Sequence, residues 1–208
     1  MIRSFSKLLL FVSFAAIGAG TALSVDAADV NKLAEQCADC HGKDGASTTA
    51  EIPTIGGISA QYMTDSMTAY KNKERPCVEA KYQSGSKKGQ KTDMCNVAKD
   101  LSDADVKALA KYFAGKKFVR ARQPFDAAKA KKGKALHDDL CDKCHVDGGS
   151  SPEDDAGILA GQHKAYLELS FKQYADGKRP MPKKMKPKFD KLTPPDMEAL
   201  IQYYISQQ

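Results

Sequence analysis

The chain contains no tryptophan, and aromatic residues make up only 8% of its 208 positions. So few large rings leave little apolar mass for a core. No apolar run reaches the roughly 18–20 residues that a membrane span needs. There is no strong excess of one charge, because 32 Lys and Arg against 26 Asp and Glu leave +6. Basic and aromatic residues are not interleaved, which argues against nucleic acid as a partner. With 42% hydrophobic and 28% charged residues, the composition excludes a disordered or collagen-like chain.

The first 27 residues read as a secretory signal. Arg3 and Lys7 form a basic start, Leu8 to Gly20 an apolar stretch, and Val25-Asp26-Ala27 a small-residue cleavage site before Ala28. Membrane association is expected only if that segment stays attached. The remaining chain carries +5, and export to the periplasm would place it where spare cysteines can pair.

An internal repeat organises the rest of the chain. Cys37-Ala38-Asp39-Cys40-His41 returns as Cys141-Asp142-Lys143-Cys144-His145, at an offset of 104. Gly57, Tyr62, Tyr70 and Arg75-Pro76 match Gly161, Tyr166, Tyr174 and Arg179-Pro180 at that same offset. The offset then falls to 91, pairing Met94, Leu101, Asp105 and Tyr112 with Met185, Leu192, Asp196 and Tyr203. The first copy therefore holds 13 extra residues between Pro76 and Met94.

Both copies close on the same helix signal. Ser102 with Asp105, and Thr193 with Asp196, have capping-box spacing, and Leu101 and Leu192 stand where a hydrophobic staple begins. The stripes Val106, Leu109, Ala110, Phe113 and Met197, Leu200, Ile201, Tyr204 have helical periodicity. A middle helix carries Met63, Met67 and Tyr70 in one copy, and Leu167, Phe171 and Tyr174 in the other. Each Cys-x-x-Cys-His is expected to end a further helix. No segment alternates as a strand, so the predicted class is all-α. The expected division is residues 1–27 signal, 28–118 first domain and 119–208 second domain.

Cys-x-x-Cys-His is the attachment sequence for c-type haem. Its spacing puts two thiols on one edge of a helical turn, each able to add to a vinyl group, with His under the iron. Zinc would need both cysteine pairs at one site, and they lie in different repeats. A redox dithiol would need a βαβ context that is missing. Two covalent haems c, on Cys37 and Cys40 and on Cys141 and Cys144, are the expectation, with His41 and His145 as axial ligands. They would also fill the small cores. Met94 and Met185 each stand seven residues before the stapling Leu, and that shared place makes them the sixth ligands. Met181, in the same basic loop, competes with Met185. The Pro53 carbonyl is a candidate acceptor for His41, and Gly157 holds the matching place for His145. His137 and His163 have no counterparts and read as surface or interdomain packing, with an alternative iron ligand as the sharper reading. Cys77 and Cys95 flank the insertion and are expected to form a disulfide.

These residues resemble the two-haem class I cytochromes c, which include the cytochrome c4 type and the cytochrome subunit of flavocytochrome c sulfide dehydrogenase. KALHDDLCDKCHVDGG, GILAGQ, GKRPMPKKM and DMEALIQYYISQQ are especially similar to the flavocytochrome subunit, and MCNVAKDLS to the family's axial-Met segment. The resemblance implies two tandem cytochrome c domains about a pseudo-twofold axis with haem propionate edges facing. It implies electron transfer with redox protein partners, a flavoprotein among them, in sulfide oxidation, with no catalytic residue of the chain's own. A free cytochrome c4-type carrier to a terminal oxidase is the alternative. A di-haem peroxidase fits less well, because it needs an open iron and both copies supply a Met. From Lys178 to Lys191 seven basic residues face one acid, Asp190, a docking face for an acidic partner if it is more than a solvated loop.

Overall fold

The computed structural model describes residues 27–208. The expected signal therefore lies outside the described residues, apart from Ala27. Two helical units stand in tandem along the chain. The first contains α1 (Ala27–His41), α2 (Ala60–Lys71), α3 (Met94–Lys99) and α4 (Asp103–Ala114). The second contains α5 (Ala127–Leu140), a helical turn α6 (Val146–Gly149), α7 (Lys164–Ala175), α8 (Lys186–Phe189) and α9 (Pro194–Ser206). Among the described residues no helix is long and apolar enough to cross a membrane.

The closing helices form as their sequences dictate. The Ser102 hydroxyl accepts from Asp105 N while the Asp105 carboxylate accepts from Ser102 N, so two donors at the start of α4 are satisfied reciprocally. Thr193 N likewise donates to Asp196 at 3.1 Å. Val106, Leu109, Ala110 and Phe113 are all buried against Ala34, Met63 and Met67, which makes one core. Leu200, Ile201 and Tyr204 build the other with Leu167. In the second unit α5 crosses α9 so closely that a Cβ on Gly133 would fall 1.9 Å from the Ala199 carbonyl. Only glycine allows that approach.

The insertion departs from the all-helical expectation. Residues 80–81 and 91–92 form β1 (Ala80–Lys81) and β2 (Lys91–Thr92), an antiparallel hairpin pairing Ala80 with Thr92. Two-residue strands are too short for alternation to reveal. The two Cys-x-x-Cys-His segments also differ. The first completes α1, whereas α5 stops at Leu140 and the second lies in the turn beyond it. Asp138 and Asp139 stand in the last turn of α5, where acidic charge opposes the helix dipole and favours an early end.

The units are fastened through backbone and amide groups. Thr54 N donates to Gln162 Oε1 (2.9 Å), and Gln162 Nε2 returns a bond to the Thr54 carbonyl (3.0 Å). His163 Nε2 donates to the Ser47 carbonyl at 2.9 Å, and Tyr166 N to Ala50 O at 3.2 Å. The connecting segment passes over Gly57 and Gly161, both with positive φ, so tightly that a Cβ would meet Phe118 N at 2.7 Å and Arg120 Cγ at 2.5 Å. These two repeat-matched glycines mark where the linker lies on each unit.

Candidate functional site

In the first unit α1 carries Cys37 and Cys40 one turn apart and delivers His41 at its last position. His41 is buried, and its Nδ1 lies 2.8 Å from the Pro53 carbonyl. A carbonyl can only accept, so Nδ1 holds the proton and Nε2 keeps a free lone pair. Burial pushes the imidazole pKa down against the pull of that hydrogen bond, which keeps the ring neutral, as a metal ligand must be. Burial, with a smaller contribution from Cys40, drives the Cys37 thiol up to about 12. Met94 opens α3, whose N-cap Asp93 accepts from Asn96 N. Cys77 and Cys95 are joined in a disulfide, which ties the segment bearing Met94 back to the start of the insertion. Cys37, Cys40, His41 and Met94 all line one cavity of about 1070 Å³. Met63, Met67 and Leu109 supply apolar wall, and Tyr166 of α7 closes it from the second unit.

Where the units meet, Tyr62, Tyr70 and Arg75 face Tyr166, Tyr174 and Arg179. Arg75 stacks over Tyr70 at 4.4 Å, and Arg179 over Tyr174 at 4.5 Å. Arg179 Nη2 donates to the Tyr62 hydroxyl at 3.2 Å. Both guanidiniums are buried, Arg75 Nε has no partner, and the groups acting on them are tyrosines and each other. Among the described residues neither guanidinium is paired with a carboxylate, and a buried cation is costly unless it is paired. The same shortage acts on Tyr166: burial raises its pKa, yet Arg75 and Arg179 overcome that and pull the phenol down to about 7. A porphyrin in the cavity would bring apolar bulk for the wall and a carboxylate for Arg75, which lines it, so these residues fit a haem. The sequence pointed to this cluster only through the repeat, where Tyr62, Tyr70 and Arg75 matched their partners without a role.

The second unit is arranged differently. Cys141 caps α5, and Cys144 is exposed. Burial draws the His145 imidazole down to about 4, opposed by the backbone of Gly157. His145 Nδ1 nevertheless has no partner in hydrogen-bond geometry. Met185 is the N-cap of α8, while Met181 lines a cavity of about 460 Å³ with Arg179, Phe189 and Met197. None of Cys141, Cys144, His145 and Met185 lines that cavity or the larger one. Phe189 is buried against Phe171 and Tyr174, with ring centroids 5.8 and 5.9 Å apart. The donor set therefore borders one cavity in the first unit and neither cavity in the second.

His163 fastens the units, as an interdomain reading expects, but His137 does not fit a surface or interdomain place. It is fully buried inside the second unit, with Nδ1 3.1 Å from the Tyr204 hydroxyl. Asp142 lies 3.4 Å from Nε2 without an aligned hydrogen bond. Burial lowers the His137 pKa and outweighs the pull of Asp142. The unfolded chain then takes up the proton first, so the stability this group contributes is complete above roughly pH 6.5 and is lost as pH falls through the lower folded value. Chemical denaturation at pH 7 and pH 5 should show the wild type losing more stability than H137F. Equal losses would remove His137 as the cause.

A cytochrome c family model matches residues 27–115. Cytochrome c4 of Azotobacter vinelandii is 31% identical over 161 residues, covering 74% of each chain. The thiosulfate dehydrogenase electron acceptor of Thiomonas intermedia (strain K12) is 30% identical over 70% of this chain, which spans 65% of that protein's length, just under two thirds. The crystal structure of reduced cytochrome c4 from Pseudomonas stutzeri superposes with a TM-score of 0.69 at 26% identity, covering 88% of this chain and 99% of that one. Helical units in tandem, a fixed imidazole tautomer beside two thiols and a thioether, and these relatives agree: the chain belongs to the cytochrome c family as a two-domain class I cytochrome of the cytochrome c4 type.

Proposed function

We propose that the chain is a periplasmic electron carrier with two covalently attached haems c, residues 28–118 forming one cytochrome domain and 119–208 the other. Cys37 and Cys40 hold the first haem and Cys141 and Cys144 the second. His41 with Met94, and His145 with Met185, would hold the two irons. The observation that carries this reading is the single cavity bordered by Cys37, Cys40, His41 and Met94. A haem in such a place supplies one-electron exchange at its iron. The protein's share is positional. The Pro53 carbonyl keeps His41 Nε2 free, and Met94 offers a soft thioether that favours the reduced metal. Met63, Met67 and Leu109 keep water from one wall, and Arg75, at the same cavity, would offset the carboxylate charge of a haem held there.

The partners are redox proteins. Two linked centres suit a donor that gives two electrons one at a time, as a flavoprotein does. Similarity to a thiosulfate dehydrogenase electron acceptor supports a place in the oxidation of inorganic sulfur compounds, and the sulfide-oxidising flavoenzyme is the reading that the second-half resemblance favours. Mass spectrometry of the exported protein should find two added haems. A near-infrared sulfur-to-iron charge-transfer band should integrate to two Met ligands. The half of the band belonging to the second haem should vanish in M185A and persist in M181A. A mass with one haem or none, or a band lost in M181A instead, overturns the corresponding assignment.

A further inference from the structure

The peptide group between Pro53 and Thr54 bonds on both sides. Its carbonyl accepts from His41 Nδ1 at 2.8 Å, and its N–H, on Thr54, donates to Gln162 Oε1 of the second unit at 2.9 Å. Gln162 Nε2 in turn donates to the Thr54 carbonyl at 3.0 Å. Thr54 N can only donate and the Thr54 carbonyl can only accept, so the Gln162 amide has one orientation open to it. Its Oε1 takes a further bond from His163 N at 3.2 Å, which holds it in place. Thr54 and Gln162 are each only 2% exposed, so these bonds are shielded from solvent. The ring of His41, one peptide group and a side chain of the other unit therefore form an unbroken series of donors and acceptors. The second unit lacks its counterpart. The repeat positions matching Thr54 and Gln162 are Ile158 and Ile58, and the side chain of Ile58 can neither donate nor accept. His145 Nδ1 meets no acceptor in hydrogen-bond geometry among the described residues.

We infer that Gln162 is a positioning residue through which the second unit sets the donor strength of His41 in the first, and that this control runs in one direction only. It rests on the reading of His41 as an iron ligand. A peptide group polarises as a whole. When its N–H donates, electron density moves towards its oxygen and the carbonyl becomes a better acceptor. A better acceptor draws the Nδ1 proton away from the ring and leaves Nε2 more basic. A more basic nitrogen favours an oxidised metal, so Gln162 makes the first centre harder to reduce than it would otherwise be. The bonds on the two sides of the peptide also fix its plane, and with it the direction along which the His41 ring can bond. The other bonds between these faces, from His163 Nε2 to the Ser47 carbonyl and from Tyr166 N to Ala50 O, touch neither the Pro53 carbonyl nor the Thr54 N–H. They join the units without joining this series.

Q162M keeps the length of the side chain and removes both of its bonds to Thr54, whereas Q162E keeps an oxygen facing Thr54 N. Proton NMR of the reduced holoprotein reads the Nδ1–H of each axial ring. In Q162M the His41 signal should move upfield as its bond weakens, and the His145 signal should stay. In Q162E the His41 signal should lie at its wild-type place or downfield of it. Spectroelectrochemical titration of the same samples should find the oxidised-to-reduced ratio of the first centre shifted in Q162M by roughly threefold towards the reduced form. That is less than the about 10–100-fold cost of losing a ligand's own partner, because Gln162 stands one bond further out. H163A breaks the neighbouring bond to Ser47 and leaves the bridged peptide alone, so it should move neither reading. An unmoved His41 signal in Q162M, a Q162E signal as far upfield as that of Q162M, or an equal shift in H163A overturns the inference. One check needs no variant: in the reduced wild type the His41 Nδ1–H should lie downfield of the His145 Nδ1–H, and the reverse order overturns the inference too. Mass spectrometry and the near-infrared Met band of the wild type report the haem reading separately. A first unit without haem removes the ligand role of His41, whereas a fully loaded protein with a silent Q162M removes only the role of Gln162.

Discussion

In C77S/C95S the first unit should lose about 3 kcal/mol of stability, the loop-closure contribution of a disulfide whose cysteines stand 18 residues apart. The second unit, which has no such link, should unfold as before. Met94 is the immediate neighbour of Cys95, and Cys95 is buried. Cutting the tether frees the start of α3 as well as the insertion, so the loss should appear as easier displacement of Met94. If all of it fell on the Met-off state, about 3 kcal/mol would mean roughly a hundredfold more of that state. Imidazole added to the oxidised protein should then replace one Met ligand far faster than in wild type, with the other unchanged. Two equal displacement rates, both as in wild type, would show that α3 is held by its packing alone, through Ala98 and the Asp93 cap.

M94L should have the larger effect on function. Leucine keeps the volume but cannot coordinate, so the core should survive while the first iron loses its thioether. Half of the near-infrared band should vanish, and the potential of one haem should fall by on the order of 0.1 V, a modest part of the roughly 0.8 V that axial ligation can span. Carbon monoxide should bind one iron per molecule in the variant and essentially none in the wild type. Retention of the whole band would dismiss Met94 and send the search back to Met63 or Met67, which line the same cavity.

Local chemistry explains what was legible in advance. Ser102 with Asp105 and Thr193 with Asp196 declare helix starts because a cap acts within four residues of itself. The stripes through Phe113 and Tyr204 declare a buried face because helical periodicity is local. That Cys37, Cys40 and His41 would stand together was legible because the Cys-x-x-Cys-His spacing is itself local, and one cavity collects them with Met94. What escaped depends on contacts far apart in the chain. The Asp39 carboxylate and the Ser84 hydroxyl are bonded across 45 residues, and nothing near either announces the other. Arg75 and Arg179 carried the repeat signal, but a repeat gives correspondence and not proximity. His137 lacked a counterpart, which told of neither surface nor core. Two-residue strands leave no pattern to find.

Thr54 and Gln162 exchange their hydrogen bonds inside the interface, and the arginines at that interface are sunk among tyrosines from both halves. Each half expressed alone would open to water an amide, a peptide group and a guanidinium that fit nothing on its own surface. Water can pair with each of those groups, so separation would cost each half the fixed bearing of its neighbour rather than its own fold.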